Sequence, residues 1–128
     1  QSLKELFSVS IDYPMIADHG GVAALYGMIH PGASSTATVR AVFIIDPKRV
    51  IRAIVYYPMN VGRNIDELLR LIDGLQTADK HGVACPVNWK PGDKVIVPPP
   101  KTDQEVEDRI ANTALEGNAF YLKKKEIV

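Results

Sequence analysis

Arg40 is the residue whose chemistry stands out first, because it interrupts an otherwise apolar run from Val39 to Ile45. A guanidinium stays charged at ordinary pH and offers five donors in a fixed fork, so burying it without partners is costly. Either Arg40 meets a carboxylate or carbonyls in a structural pair, or it lines a site and faces an anion. The residues alone favour the structural pair, because buried ion pairs are commoner than sites.

Cys85 is the second candidate and the only cysteine in the sequence. A nucleophilic cysteine needs surroundings that favour its thiolate, such as a helix N-terminus or a nearby cation. Here Pro86 follows directly and only His81 lies close by as a helper. These neighbours favour a structural thiol and leave a role in disulfide exchange as the alternative. A single cysteine also fits a reducing compartment such as the cytoplasm.

Other kinds of chemistry receive little support. The three histidines, His19, His30 and His81, lie apart from one another and from any cluster of ligands, so neither a metal nor another cofactor is expected. Fifteen basic and fifteen acidic residues cancel, which argues against nucleic acid or an anionic membrane as a partner. No apolar run reaches the length needed to span a bilayer.

Short elements are predicted before the run that holds Arg40. Residues 1–7 are expected to be the tail of an amphipathic helix, and residues 13–16 a short strand. Residues 21–26 are expected to form a short helix that Asp18 caps and Gly27 ends.

A hairpin is predicted at the centre of the chain. Its strands cover residues 38–45 and 50–57 and are joined by a proline-containing turn at 46–49. The first strand is apolar on both faces apart from Arg40, which is typical of a strand covered on both sides. Arg52 in the second strand is expected to be solvated.

The later elements follow from caps and periodicity. Asn64 is expected to cap a long amphipathic helix that runs to about Lys80, with Gly82 as its stop. The remaining expectations are a strand at 94–97, a helix at 104–111 capped by Thr102 or Asp103, a strand at 119–122 and a solvated lysine tail at 123–125.

Three motifs in this order resemble one-cysteine peroxiredoxins, the type of peroxiredoxin 6. They are T-V-R-A-V-F-I-I-D at 38–46, Y-Y-P-M-N-V-G-R-N-I-D-E-L-L-R at 56–70 and P-V-N-W-K-P-G-D-K-V-I-V-P-P-P at 86–100. P-M-I-A-D at 14–18, ahead of a short helix, matches the same family. The resemblance covers essentially the whole chain and is weakest after residue 103.

The resemblance implies where the reactive groups belong. The family carries its peroxide-reducing cysteine in a P-x-x-x-T-x-x-C motif, but around Cys85 the Pro and Thr positions hold Ala78 and Gly82. The nucleophile is therefore expected upstream of residue 1, and the chain is expected to be the C-terminal part of such a protein. Arg40 occupies the position of the family's active-site arginine.

Arg63 is the second arginine to which the resemblance gives a role. It corresponds to an arginine that supports the same pocket in the family. The alternative, weighed equally with that role, is a solvated loop arginine or one that pairs with Asp66 or Glu67.

The resemblance also implies a fold and partners. We expect an α/β protein, with the C-terminal part of a thioredoxin-like mixed sheet flanked by helices over residues 1–82 and a small α+β arm for dimerisation over residues 83–128. The implied activity is thiol-dependent reduction of hydrogen peroxide and alkyl hydroperoxides without a cofactor, by a homodimer or a ring-like oligomer that a thiol reductant regenerates. The alternative is a non-catalytic fragment that serves only as a dimerisation or structural module.

Two further expectations concern this chain by itself. Trp89 and the prolines around it indicate a stiff arm with an aromatic anchor, either in a subunit interface or folded back on its own domain. We favour the interface. The hairpin is expected to expose an apolar edge and face, so that the isolated chain aggregates or needs a partner.

Overall fold

The computed structural model describes residues 2–127, and it describes side chains from residue 4 onward. The chain divides into two compact units, Gln1–Ala41 with Tyr56–Val61 and Val42–Val55 with Gly62–Val128. The helices are α1 (Ser2–Phe7), α2 (Gly21–Leu25), α3 (Ile65–His81) and α4 (Asp103–Ala111), and the strands are β1 (Arg40–Ile45), β2 (Ile51–Tyr57), β3 (Val95–Ile96) and β4 (Lys124–Lys125). The expected division at residue 82 stays a prediction.

Helix α2 in the first unit begins and ends as the local sequence indicates. The Asp18 carboxylate accepts hydrogen bonds from the amides of Val22 and Ala23, at 3.0 and 2.8 Å. These backbone donors, the Ala23 amide first, lower the pKa of Asp18. Gly27 follows the helix with φ of +63°, a left-handed conformation that a glycine adopts without strain.

The strand predicted at 13–16 is wrong. This segment has no β pairing among the described residues, and Met15 and Ile16 are exposed. A strand requires a neighbour that satisfies its backbone hydrogen bonds, and an apolar composition does not supply one. The helix expected at the start of the chain is confirmed as α1, although Gln1 lies outside the described residues.

The central hairpin is confirmed, with each strand starting slightly later than predicted. β1 and β2 are neighbours in a two-stranded sheet. In the turn between them, Asp46 Oδ1 accepts hydrogen bonds from the amides of Lys48 and Val50 at 2.9 and 3.0 Å. Arg49 adopts φ of +65°, which lets the chain reverse after the proline. β1 is only half-buried, so this chain alone does not cover the strand on both faces.

Helix α3 lies in the second unit. Asn64 Oδ1 accepts from the Glu67 amide at 3.1 Å, as expected of the cap. At the other end, Gly82 adopts φ of +60° and its amide donates to the Ala78 carbonyl. The expectation that Arg52 is solvated is wrong, because its guanidinium binds both Asp79 carboxylate oxygens at 2.6 and 2.8 Å. This bidentate ion pair links β2 to the last turns of α3.

A small apolar cluster forms the best-covered part of the second unit. Trp89 and Val95 are 2% and 0% exposed, and Val83 is buried beside them. The Trp89 indole Nε1 donates to the Asp93 carbonyl at 3.0 Å, which satisfies its one polar group. Trp89 is therefore an anchor within its own chain, and the favoured interface role of the arm that holds it stays a prediction.

The last strand lies elsewhere than predicted. Lys124–Lys125 pair antiparallel with Val95–Ile96, whereas residues 119–122 form a turn. Both lysines are half-buried, so the expected solvated tail is also wrong. Lysine suits this place because its stem packs along the sheet while its ammonium group stays in water. The helix cap before α4 is confirmed, since Thr102 Oγ1 accepts from the Glu105 amide at 3.2 Å.

Candidate active site

Arg40, the first residue of β1, has an exposed side chain in the first unit. Its Nε donates a hydrogen bond to the Met59 carbonyl at 2.9 Å. The arginine thus meets a carbonyl, as the structural alternative proposed, but it avoids the cost of burial because water reaches it. Its two terminal nitrogens make no hydrogen bond to any residue between 2 and 127. They are available to a ligand or to another segment.

The turn after β2 presents the Met59 carbonyl to Arg40. The turn is closed by a hydrogen bond from the Val61 amide to the Pro58 carbonyl at 3.1 Å. Close to this turn, Tyr56 Oη donates to the Tyr26 carbonyl at 3.1 Å. Sequence reasoning missed the Met59 contact, because every residue carries a carbonyl and no side-chain type marks this one.

Arg63 lies in the loop between β2 and α3, in the second unit, with an exposed side chain. Of the two carboxylates that the sequence offered as partners, Glu67 is bound by Arg70 through two hydrogen bonds of 2.6 and 2.8 Å. This pairing lowers the pKa of Glu67. Since Arg40 and Arg63 belong to different units, their sharing of one pocket stays a prediction.

Cys85 lies against the Trp89 cluster and is half-buried. Its Sγ donates to the Gly74 carbonyl at 3.5 Å. Burial raises the pKa of the Cys85 thiol, and the charge of Arg70 opposes that shift only in part. A thiol in this setting stays protonated near neutral pH, whereas a cysteine nucleophile needs a lowered pKa. The local geometry therefore supports the structural interpretation of Cys85.

Sequence reasoning also missed Arg70. Besides binding Glu67, its Nη1 donates to the Trp89 carbonyl at 3.4 Å. The signal was present, since Glu67 and Arg70 are three residues apart on a helix and so lie on one face. Arg70 lines an open groove of about 550 Å³ with eight other residues, namely Asn64, Asp66, Glu67, Leu69, Asp73, Asn88, Lys90 and Pro91. The groove has no thiol, and its charges are of both signs.

Two classes of site lack support in the part of the chain that the structure covers. Residues 2–127 hold no group of three or more His, Cys, Asp or Glu side chains arranged for a metal ion. Nor does any helix in this range have the length and apolarity to cross a membrane.

Residues 74–113 match the family model of the C-terminal domain of 1-Cys peroxiredoxin. A peroxiredoxin of Aquifex aeolicus is 47% identical, and the match covers 98% of this chain and 61% of the relative. This chain thus spans about three fifths of that relative's length.

Two solved structures resemble the chain over 98% of its length. The yeast mitochondrial 1-Cys peroxiredoxin matches with a TM-score of 0.81 and 40% identity, over 62% of its own chain. A cysteine-to-serine mutant of peroxiredoxin 6 from Arenicola marina matches with a TM-score of 0.76 and 36% identity, over 61% of its chain. These matches confirm the expected thioredoxin-like α/β fold. The chain belongs to the peroxiredoxin family and contains the C-terminal domain of the one-cysteine type.

Proposed function

We propose that this chain is part of a thiol-dependent peroxidase that reduces hydrogen peroxide and alkyl hydroperoxides. We place the attacking cysteine in a P-x-x-x-T-x-x-C segment upstream of residue 1. The observation that carries the proposal is Arg40, an exposed arginine held at one nitrogen by a carbonyl and open at its two terminal nitrogens. It lies in the strand where the resemblance expects the active-site arginine.

The chemistry needs a fixed cation of this kind. The upstream thiolate attacks the terminal oxygen of the hydroperoxide, forming an S–O bond while the O–O bond breaks. The cysteine becomes a sulfenic acid, and the leaving alkoxide or hydroxide takes a proton. The Arg40 guanidinium favours the thiolate over the thiol and holds the two peroxide oxygens in line for attack. Two thiol groups of the reductant then return the sulfenic acid to the thiol; they are themselves oxidised to a disulfide, and water is released.

Cys85 is assigned no part in this reaction. Its raised pKa and its contact with the Gly74 carbonyl are those of a packed, protonated thiol. These observations also favour a second candidate for the 128-residue chain by itself, which is a non-catalytic structural or dimerisation module. In the longer protein we propose a homodimer or a ring-like oligomer, working in the cytoplasm.

The test compares hydrogen peroxide consumption, with a dithiol reductant, by this chain and by the protein that carries the upstream segment. We expect activity in the longer protein only. It should vanish when the upstream cysteine is replaced by serine and survive Cys85→Ser. Arg40→Gln should lower kcat/KM by about 100-fold, the scale seen when one oriented donor to a reacting oxygen is removed. Activity of the 128-residue chain that disappears with Cys85→Ser would overturn the proposal.

The pH dependence of Cys85 alkylation checks its assignment separately. A raised pKa means that the reactive thiolate appears at higher pH than in an ordinary cysteine, whose pKa is about 8.5. The alkylation rate of Cys85 should therefore rise later with pH than that of a cysteine in an unfolded peptide. Half-maximal alkylation below pH 8.5 would contradict the structural assignment.

A further inference from the structure

The contact between Arg40 and Met59 divides the arginine's donors into two groups. Nε donates to the Met59 carbonyl at 2.9 Å, and the two terminal nitrogens make no hydrogen bond within residues 2–127. Because a guanidinium is planar and rigid, fixing Nε restricts rotation of the whole fork about the side-chain bonds. One hydrogen bond therefore sets the direction in which the remaining donors act.

The acceptor itself is held by local structure. The carbonyl belongs to a turn of residues 58–61 that is closed by the hydrogen bond from Val61 to Pro58. Pro58 fixes its own φ near −65° and so limits how far the turn can reopen. The turn directly follows β2, the strand that lies beside β1, so both ends of the Arg40–Met59 contact are carried by one hairpin.

We infer that the turn at 58–61 is a positioning element, which orients the Arg40 guanidinium through the Met59 carbonyl so that its two terminal nitrogens receive the two peroxide oxygens. The inference rests on the proposed function for the role of Arg40, and it adds the element that aims this residue. Pro58 acts through Arg40 and does not touch the substrate.

The positive charge of Arg40 and the orientation of its guanidinium group can be tested separately. Lysine at position 40 would keep the positive charge near the reacting thiol. However, a single ammonium group has no second arm, so it cannot bind the Met59 carbonyl and span two oxygens with the same geometry. Arg40→Lys should therefore leave the pKa of the upstream cysteine nearly unchanged while kcat/KM falls.

The decisive test uses the longer protein with Pro58→Gly, beside Pro47→Gly as the matched control. Pro47 also lies in a turn next to the hairpin strands, but at the end away from Arg40. Loosening the first turn should lower kcat/KM about 10-fold, because small losses of orientation are costly when two reacting atoms must be aligned. The pH profile that reports the upstream thiolate should not move, since the charge remains. Pro47→Gly should leave kcat/KM unchanged.

A spectroscopic measurement on the unmutated protein keeps the test independent of folding in the variants. The Arg40 Nε–H proton should exchange slowly with water in nitrogen-15 NMR spectra, and Pro58→Gly should speed that exchange. Fast exchange in the unmutated protein, or equal losses of kcat/KM in the two glycine variants, would overturn the inference. Full activity of Arg40→Gln would instead overturn the proposed role of Arg40, so the two failures are distinguishable.

Discussion

The Trp89 cluster and the β1–β2 hairpin contain similar residues but are covered very differently. Trp89 and Val95 are 2% and 0% exposed and pack with Val83 in a cluster against which Cys85 and Ile127 also lie. In the hairpin, Ile45, Ile51 and Ile54 are 45–47% exposed. Two strands bury little on their own, since a stable sheet needs a third strand or a packed helix.

This contrast separates a part that completes its own core from a part whose apolar side chains stay half-exposed in this chain. The relatives extend beyond the matched region, which makes up 61% of the Aquifex protein and 62% of the yeast one. We expect the additional residues to cover the hairpin in the longer protein. Aggregation of the 128-residue chain by itself stays a prediction, and the exposed isoleucines are its physical basis.

Removing the Trp89 side chain should have the largest effect on stability. Trp89→Ala is expected to lower the free energy of unfolding by about 3–5 kcal/mol, through lost burial and the cavity left behind. Val87→Ala is the matched control, because Val87 lies two residues away and is 88% exposed. Urea unfolding of both variants measures the difference. Equal, small effects would show that the cluster does not hold the C-terminal region together.

Ile54, in strand β2, tests whether the hairpin is covered in the longer protein. In this chain, Ile54→Ala should cost roughly 1 kcal/mol, because the side chain is already half in water. In the longer protein, the same change should cost about 2–5 kcal/mol if the hairpin is covered there. The measurement is denaturant unfolding in the two contexts. The same small cost in both would mean that the hairpin stays exposed, and would remove the physical basis for a missing cover.

The sequence correctly predicted the helix caps and turns whose geometry depends on residues close together in the chain. The Asn64 cap, the Gly82 stop and the turn after Asp46 each depend on hydrogen bonds or dihedral angles within a few residues. All three are confirmed. Their geometry is fixed by side-chain type and sequence spacing, which are both readable from the sequence.

Errors arose where a distant segment decided the outcome. Residues 13–16 are as apolar as a strand but pair with no strand among residues 2–127, whereas the charged Lys124–Lys125 form a strand because Val95–Ile96 lie beside them. The pairing of Arg52 with Asp79 joins residues 27 positions apart, so its spacing carried no signal. The sequence also does not indicate which residues surround Trp89, so its packing with Val83 and Val95 was not predicted.

For the candidate site, the sequence supplied residue types but not their directions. The resemblance, and not the pattern of residues, favoured a site role for Arg40 and offered one for Arg63. The structure adds the Met59 carbonyl to Arg40, and it shows that Cys85 lies where its pKa is raised. These are properties of surroundings, which depend on how the chain folds and not on which residues are adjacent in sequence.

The smallest expected effect on stability comes from replacing a glycine with alanine, either within α3 or at its C-terminal cap. The two replacements should change the free energy of unfolding in opposite directions. A Cβ at Gly74 would lie 4.0 Å from the Cβ and Sγ of Cys85, an ordinary contact, so Gly74→Ala should stabilise the protein by about 0.5–1 kcal/mol through helix propensity. At Gly82, where φ is +60°, alanine should instead destabilise by about 1–2 kcal/mol. Urea unfolding measures both changes, and alkylation of Cys85 should slow in Gly74→Ala because the added methyl group covers the thiol. Destabilisation by Gly74→Ala would mean that Cys85 packs against α3 too closely to admit a methyl group, despite the 4.0 Å distance. The close packing of the Trp89 cluster would then extend to α3.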